Sequence, residues 1–188
     1  MGTKASLEAT AYHEAGHAVV YWRLGIALRR EGVTIVPDAE AGTAGSSTHR
    51  RMISHSIEYD ASDRNRIRAE REVQGLLAGE VAQRRYNRRS LRQIHGHSDR
   101  HKAINLLSYF TSNENELGAW FKLLRIRAEN MLADPDIWRT VERLAADLME
   151  RRAIPGKEAT DIIRRKFYEA ALIKNPGVFD SWEQEPAE

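Results

Sequence analysis

The sequence contains no cysteine. Disulfides, thiolate metal sites and cysteine nucleophiles are therefore excluded, and any metal must be held by His, Asp or Glu. Long apolar runs are missing too. The longest, "AVVYW" at 18–22, is far too short to span a bilayer. The opening "MGTKASLEAT" lacks the apolar stretch of a signal peptide, so the expectation is a cytoplasmic protein with no transmembrane segment. No G-x-x-x-x-G-K-[ST] occurs anywhere, which removes the usual phosphate-cradling loop for ATP. Neither sign of charge dominates: the net charge is +2, and a pI near 9.0 reflects arginine that is locally clustered. What is present is 188 residues, 41% hydrophobic and 30% charged. That balance suits a folded globular chain with room for one sizeable core.

Periodicity places helices along most of the chain. Residues 5 to about 28 read as one helix, with Ser6 as its cap and Ala11, Ala15, Ala18, Val19, Trp22 and Ile26 as its packing stripe. "GVTIVP" reads as a short strand closed by Pro37. "DAEAGTAGSS" reads as a turn, and "THRRMISHSIEY" as a second extended segment in which His49 and His55 are exposed. A helical period returns from Asp63 to Tyr86, with Ile67, Val73, Leu76, Leu77 and Val81 inward. A further helix is expected to start at Ser98 as cap. Beyond it, Trp120, Leu123, Leu124, Ala128, Met131 and Leu132 form one stripe, and Ile137, Val141, Leu144, Ala145 and Leu148 the next. Asp134 caps that second helix, with Pro135 at its first position. A last helix covers "IPGKEATDIIRRKFYEAAL", and residues 176–188 read as a flexible tail. The tryptophans at 120, 138 and 182 are expected to serve packing.

Into the first of these helices the chain puts "AYHEAGHAVVYW". Residues four apart on a helix share a face, so His13 and His17 can address one ion with Glu14 beside it. This is H-E-x-x-H, in which two imidazoles bind zinc and the intervening Glu acts as general base. Gly16 adds to the pattern, because a glycine inside a helix costs stability unless something approaches its backbone closely. A catalytic zinc site has three protein ligands and a water. Candidates for the third ligand are Glu70, Glu80, His95, His97, Asp99 and His101, and spacing alone does not choose among them.

The chain resembles the peptidase domain of the FtsH family, membrane-bound ATP-dependent zinc proteases. The resemblance runs in order from "TAYHEAGHAVV" through "VTIVP", "GLLAGEVAQ" and "HGHSDRHKAINLL" to "ENMLADPDIWRTVERLAADLMERRAIPGKEATDII". It implies a mostly α fold with a small β element packed near the HEAGH helix. It also implies a single metallopeptidase domain over 1–175, with a metal-site part at 1–112 and C-terminal helices at 113–175. The family's third zinc ligand falls on Asp99, beside His13 and His17. Its substrate-aligning edge strand falls on Val33, Thr34, Ile35 and Val36 and on the segment with Ala44, Gly45 and Ser46. An unfolded polypeptide would add there as a strand, held by main-chain hydrogen bonds. Family members carry an ATPase ahead of this domain, whereas only twelve residues precede His13 here. The expectation is thus a fragment or a stand-alone relative, served by a separate AAA ATPase or cutting chains already unfolded. A homo-oligomer stays open.

Two rival readings follow from the same residues. One is a zinc-stabilised module, catalytically weak or inactive, that binds an ATPase or a membrane complex; an intact Glu14 speaks for the enzyme instead. The other rests on "QRRYNRRSLRQIHGHSDRHK", where Arg84, Arg85, Arg88, Arg89, Arg92, Arg100 and Lys102 face a single acid, Asp99. Such clustering could track nucleic-acid phosphates, but a solvated loop or a cationic rim for acidic peptides explains it as well. Nucleic acid is the least favoured partner.

Overall fold

A computed structural model describes residues 4–37, 44–49, 62–90 and 97–174. Within them the chain forms α1 (Lys4–Arg23), β1 (Leu28–Thr34), β2 (Ser46–His49), α2 (Asp63–Tyr86), a single 3-10 turn (Arg88–Ser90) and α3 (His97–Ser108). Then come α4 (Glu114–Ala133), α5 (Pro135–Arg151), β3 (Ala153–Ile154) and α6 (Gly156–Lys174). Among the described residues the chain is mostly α with one small antiparallel sheet, as expected. Among the described residues no helix is long and apolar enough to cross a membrane.

Helix α1 lies at the centre. From Ala9 to Tyr21 all but Tyr12 are buried, so the helix is wrapped by neighbours rather than laid on a surface. It is already helical at Lys4, which puts Ser6 inside the helix and not at its cap. It ends at Arg23, earlier than periodicity suggests, because Gly25 adopts a left-handed φ of 76°. The Gly25 N–H donates to the Trp22 carbonyl at 3.0 Å and the Ile26 N–H to the Tyr21 carbonyl at 2.8 Å. These two bonds satisfy the last carbonyls and turn the chain toward β1, while buried Ile26 closes the turn.

The sheet order is β2-β1-β3. Val33 pairs with both Ser47 and Ile154, and Thr34 with both Ser46 and Ala153. The strand starts at Leu28, before the expected "GVTIVP", and Ser46 and Ser47 belong to β2 rather than to a turn. One apolar cluster joins α1, β1, β3, α5 and α6 through Ala11, Val19, Val33, Leu144, Ile154 and Ile163. A second joins α2, α3 and α4 through Val73, Leu77, Leu107 and Leu124. Helix α2 bridges them, since its Ala78 and Ala82 belong to the first.

Helix α2 has the expected bounds and is capped by Ser62, whose Oγ accepts from the Asn65 N–H. Ile67 is exposed, not inward. It stands two residues from buried Ala69, roughly 200° around the helix. Leu123 is exposed for a similar reason, lying one residue off the face that carries Leu124, Ala128 and Leu132. Helix α3 begins at His97, so Ser98 occupies its first turn and does not cap it. Asp134 does cap α5, accepting from the N–H groups of Asp136 and Ile137, with Pro135 at the first position. Trp120 and Trp138 pack on the two clusters. The turn at 38–43, His55, Trp182 and the C-terminal tail lie outside the described residues.

Candidate metal centre

His13 and His17 project from α1 toward α2 and the start of α3. Both are buried, as is Glu14. Their Nε2 atoms stand 3.0 Å apart. Asp99, in the first turn of α3, brings Oδ2 to 3.4 Å from His13 Nε2 and 3.2 Å from His17 Nε2. Three ligand atoms from residues 13, 17 and 99 thus form one small triangle.

The outer side of each imidazole decides what the inner side can be. His17 Nδ1 lies 2.8 Å from the Gly75 carbonyl, which only accepts, so Nδ1 carries the proton. His13 Nδ1 lies 3.1 Å from Gln83 Oε1. The Gln83 amide nitrogen donates to the Ser90 carbonyl at 3.2 Å, leaving its oxygen as acceptor. Both Nδ1 atoms are therefore donors, and both Nε2 atoms present lone pairs to each other and to a carboxylate. Three acceptors at this spacing repel unless a cation stands between them. A proton relieves one pair, whereas a metal ion relieves all three. Ligands about 2.0–2.2 Å from a tetrahedral ion stand ~3.3–3.6 Å apart, close to the separations seen here. Two imidazoles and a carboxylate can hold a metal ion, with one position left for water.

With no cation between the three acceptors, one inner nitrogen must take up a proton instead. Burial would raise the Asp99 carboxyl, but attraction from a charged His17 and hydrogen bonds donated by rings protonated on the inner side hold it well below the usual carboxylate range. Its second oxygen accepts from Lys102 Nζ at 3.3 Å. Burial pushes the Glu14 carboxyl up to about 7; His13 and Lys102 oppose that rise and Asp99 adds to it.

Helix α2 makes room for the rings. A Cβ at Gly79 would stand within 2.7 Å of His13 Nε2 and closer still to His17 Nε2. One at Gly16 would meet Ala82 and come within 2.9 Å of the Ala78 carbonyl, the close approach its place in the motif implies. Gly75, Gly79 and Gln83, four residues apart, face the two imidazoles as a row. Sequence reading passed over Gln83 and this spacing, although both sit in plain view in "GLLAGEVAQ".

The described ones among the other candidate ligands are elsewhere. Glu70 pairs with Arg127 at 2.9 Å, Glu80 with Arg84 at 2.6 Å, and His101 is exposed on α3. His95 and the ring of His97 lie outside the described residues.

The expected substrate strand is not an edge at Val33 and Thr34. Val33 and Thr34 lie in the middle strand, paired on both sides, and the Ile35 N–H donates to the Arg152 carbonyl at 2.8 Å. At Val33 and Thr34 that backbone has no open side for an added strand, and Val33 and Ile35 are buried. Val36 is exposed just beyond the pairing. The sheet's edges belong to β2 and to the two-residue β3, and neither carries a further strand among the described residues. Ala44 is exposed and Ser46 begins β2. Gly45 sits against the site: a Cβ there would come within 3.1 Å of Glu14 Cγ and 2.7 Å of the Thr34 carbonyl. His49, expected in solvent, stacks on Tyr21 at 3.8 Å and is half-buried.

Much of the basic stretch is engaged within the chain. Arg84 pairs with Glu80, and Arg85 donates to the Leu132 carbonyl and covers Trp138. Arg100 covers Phe121, and Lys102 holds Asp99. Arg92 lies outside the described residues. No protein-family model matches the chain, and no curated protein is significantly similar to it.

Proposed function

We propose that the chain is a zinc-dependent metalloendopeptidase of FtsH type acting on unfolded polypeptide. The observation that carries this reading is the convergence of three acceptor atoms, from His13, His17 and Asp99, directly beside buried Glu14. A donor set of two imidazoles and one carboxylate suits zinc and keeps a place for water. Zinc held there would supply a Lewis acid that acidifies a water and polarises the scissile carbonyl. Glu14 follows His13 in the chain and is not part of the ligand triangle, so it stays available as a base. It takes the proton of the attacking water and returns it to the leaving amine. The substrate lies along the outer edge of β2, where main-chain hydrogen bonds give affinity without a fixed side-chain pattern. Gly45 brings the start of that edge against Glu14. These 188 residues hold no phosphate-binding loop, so folded substrates require an ATPase that lies outside them, on the same polypeptide or on a partner.

Casein cleavage, with and without a chelator, and zinc content test the proposal together. Glu14→Gln should keep the metal and lower cleavage by roughly 10²- to 10⁴-fold. Asp99→Ala should lose both metal and cleavage. A Glu14→Gln protein that cuts casein at the parent rate refutes the mechanism. A zinc-loaded chain that never cuts unfolded polypeptide supports the binding-module reading instead.

A further inference from the structure

We infer that Gln83 is a positioning residue for the metal site, fixing the tautomer and direction of His13 and tying them to the turn at Arg88–Ser90. The inference rests on the metal reading above and goes beyond it, since the H-E-x-x-H motif says nothing about what stands behind the rings.

The two imidazoles are anchored differently. His17 leans on a main-chain carbonyl, that of Gly75, which no substitution at that position removes. His13 leans on a side chain. Gln83 is 1% exposed, and both ends of its amide are used inside the protein. Oε1 accepts from His13 Nδ1 at 3.1 Å. Nε2 donates to the Ser90 carbonyl at 3.2 Å and reaches Ser90 Oγ at 3.4 Å. The turn thereby settles which way the amide faces. Rotating the amide by half a turn would set an N–H against the His13 Nδ1 proton and a carbonyl oxygen against the Ser90 carbonyl, so both contacts enforce one orientation. Ser90 is itself held in the turn, its N–H and Oγ both donating to the Asn87 carbonyl.

The consequence is a directed chain from turn to ring to ligand atom. With Oε1 behind it, His13 keeps its proton on Nδ1 and offers Nε2 inward, toward His17 and Asp99. Without that acceptor, the buried ring can turn or move its proton to Nε2, which would cap the atom needed for the metal. Outer partners of metal-binding histidines commonly set affinity by 10- to 100-fold. A chemically minimal test follows, because Met matches the length of Gln but carries no comparable acceptor, whereas Glu, protonated on the oxygen that faces the Ser90 carbonyl, keeps both the donor to the turn and the acceptor for His13.

Zinc affinity should be measured by competition with a chromophoric chelator for the parent, Gln83→Met and Gln83→Glu. Circular dichroism and thermal melting accompany each titration. Gln83→Met should bind zinc about 10- to 100-fold more weakly at unchanged helix content, while Gln83→Glu stays within a few-fold of the parent. Equal affinity of parent and Gln83→Met overturns the inference, as does an equal loss in both variants. If Gln83→Met does not fold, the zinc-loaded parent still decides. Long-range ¹H–¹⁵N spectra should show His13 protonated at Nδ1 with the metal on Nε2, and the opposite tautomer refutes the assignment. A parent that binds zinc but cuts no casein removes the peptidase reading and leaves the role of Gln83 standing.

Discussion

Toward α5, helix α1 shares a continuous cluster with large aliphatic side chains, among them Val141, Leu144 and Leu148. Toward α2 it meets glycine, alanine and polar groups: Ala82 opposite Gly16, Gly79 opposite the histidine rings, and Gly75 under Tyr21. The two sides solve different problems. An apolar face needs volume filled to native density, and many side-chain combinations can fill it. A face carrying two imidazoles and a carboxylate needs a named partner for each buried polar atom. Those partners are a main-chain carbonyl, a side-chain amide and the first turn of α3, and they reach the rings only because α2 keeps its own side chains small there. Stability is thus concentrated on one side of α1 and chemistry on the other, so substitutions on the two sides should separate the two properties.

The largest effect on stability is expected on the α5 side. Leu144 is fully buried in the larger cluster, and Leu144→Ala should cost about 2–5 kcal/mol. For a chain of this length that lowers Tm by roughly 4–20 °C. Zinc affinity, titrated well below the transition, should stay within about twofold of the parent, since Leu144 belongs to the apolar cluster and offers no group to the ligands. A loss of affinity as large as the loss of stability would show that the two sides are not separable.

This division also decides what could be read from the residues. On the α5 side everything needed is local: a stripe at Ile137, Val141, Leu144, Ala145 and Leu148, an Asp cap and a Pro behind it, all found in place. The histidine motif is equally local, because four-residue spacing on one helix is enough to pair His13 with His17. The rest of the site is made by contacts between elements. Asp99 joins residues 86 and 82 positions away, and residue types in its neighbourhood left six candidates open until the resemblance singled it out. Gln83 reads as one more polar residue near a helix end until His13 and Ser90 are seen on either side of it. The strand error has the same origin. "GVTIVP" carries a clear strand signal, but nothing in it tells an edge from a centre. The two residues that cover its other side, Ala153 and Ile154, are too few to announce themselves as a strand.

A smaller effect, with a sign opposite to ordinary helix propensity, is expected where α1 and α2 cross. In an unencumbered helix Gly→Ala gains roughly 0.8–1.0 kcal/mol. At Gly75 the added methyl would collide with the ring of Tyr21, which is buried and stacked on His49. Overpacking of this kind costs about 1–3 kcal/mol. Gly75→Ala should therefore lower Tm by a few degrees and also weaken zinc binding, because the same residue supplies the carbonyl behind His17. A rise in Tm would mean that the crossing is looser than the contacts imply.

The smallest effect provides the control for that sign. Gly118 is also a helix-interior glycine, five residues beyond the Asn113 cap of α4, but it is exposed and a Cβ there would meet nothing within 4 Å. No ring, ligand or partner helix constrains it, so only backbone terms remain. Alanine restricts the unfolded chain more than glycine does and favours the helical basin, for a gain of about 0.4–1 kcal/mol. Gly118→Ala should raise Tm by roughly 1–4 °C and leave zinc affinity and casein cleavage at parent values. The paired melts of Gly75→Ala and Gly118→Ala then read the environment directly, because the covalent change is identical and both sites are helical. If both variants gain stability, α2 tolerates a methyl at its crossing with α1, and the small residues there are not what seats the histidines. If both lose it, α4 is engaged over Gly118 in solution by something that its exposed face does not reveal. Opposite signs are the result that ties the glycine at the crossing to the site it makes room for.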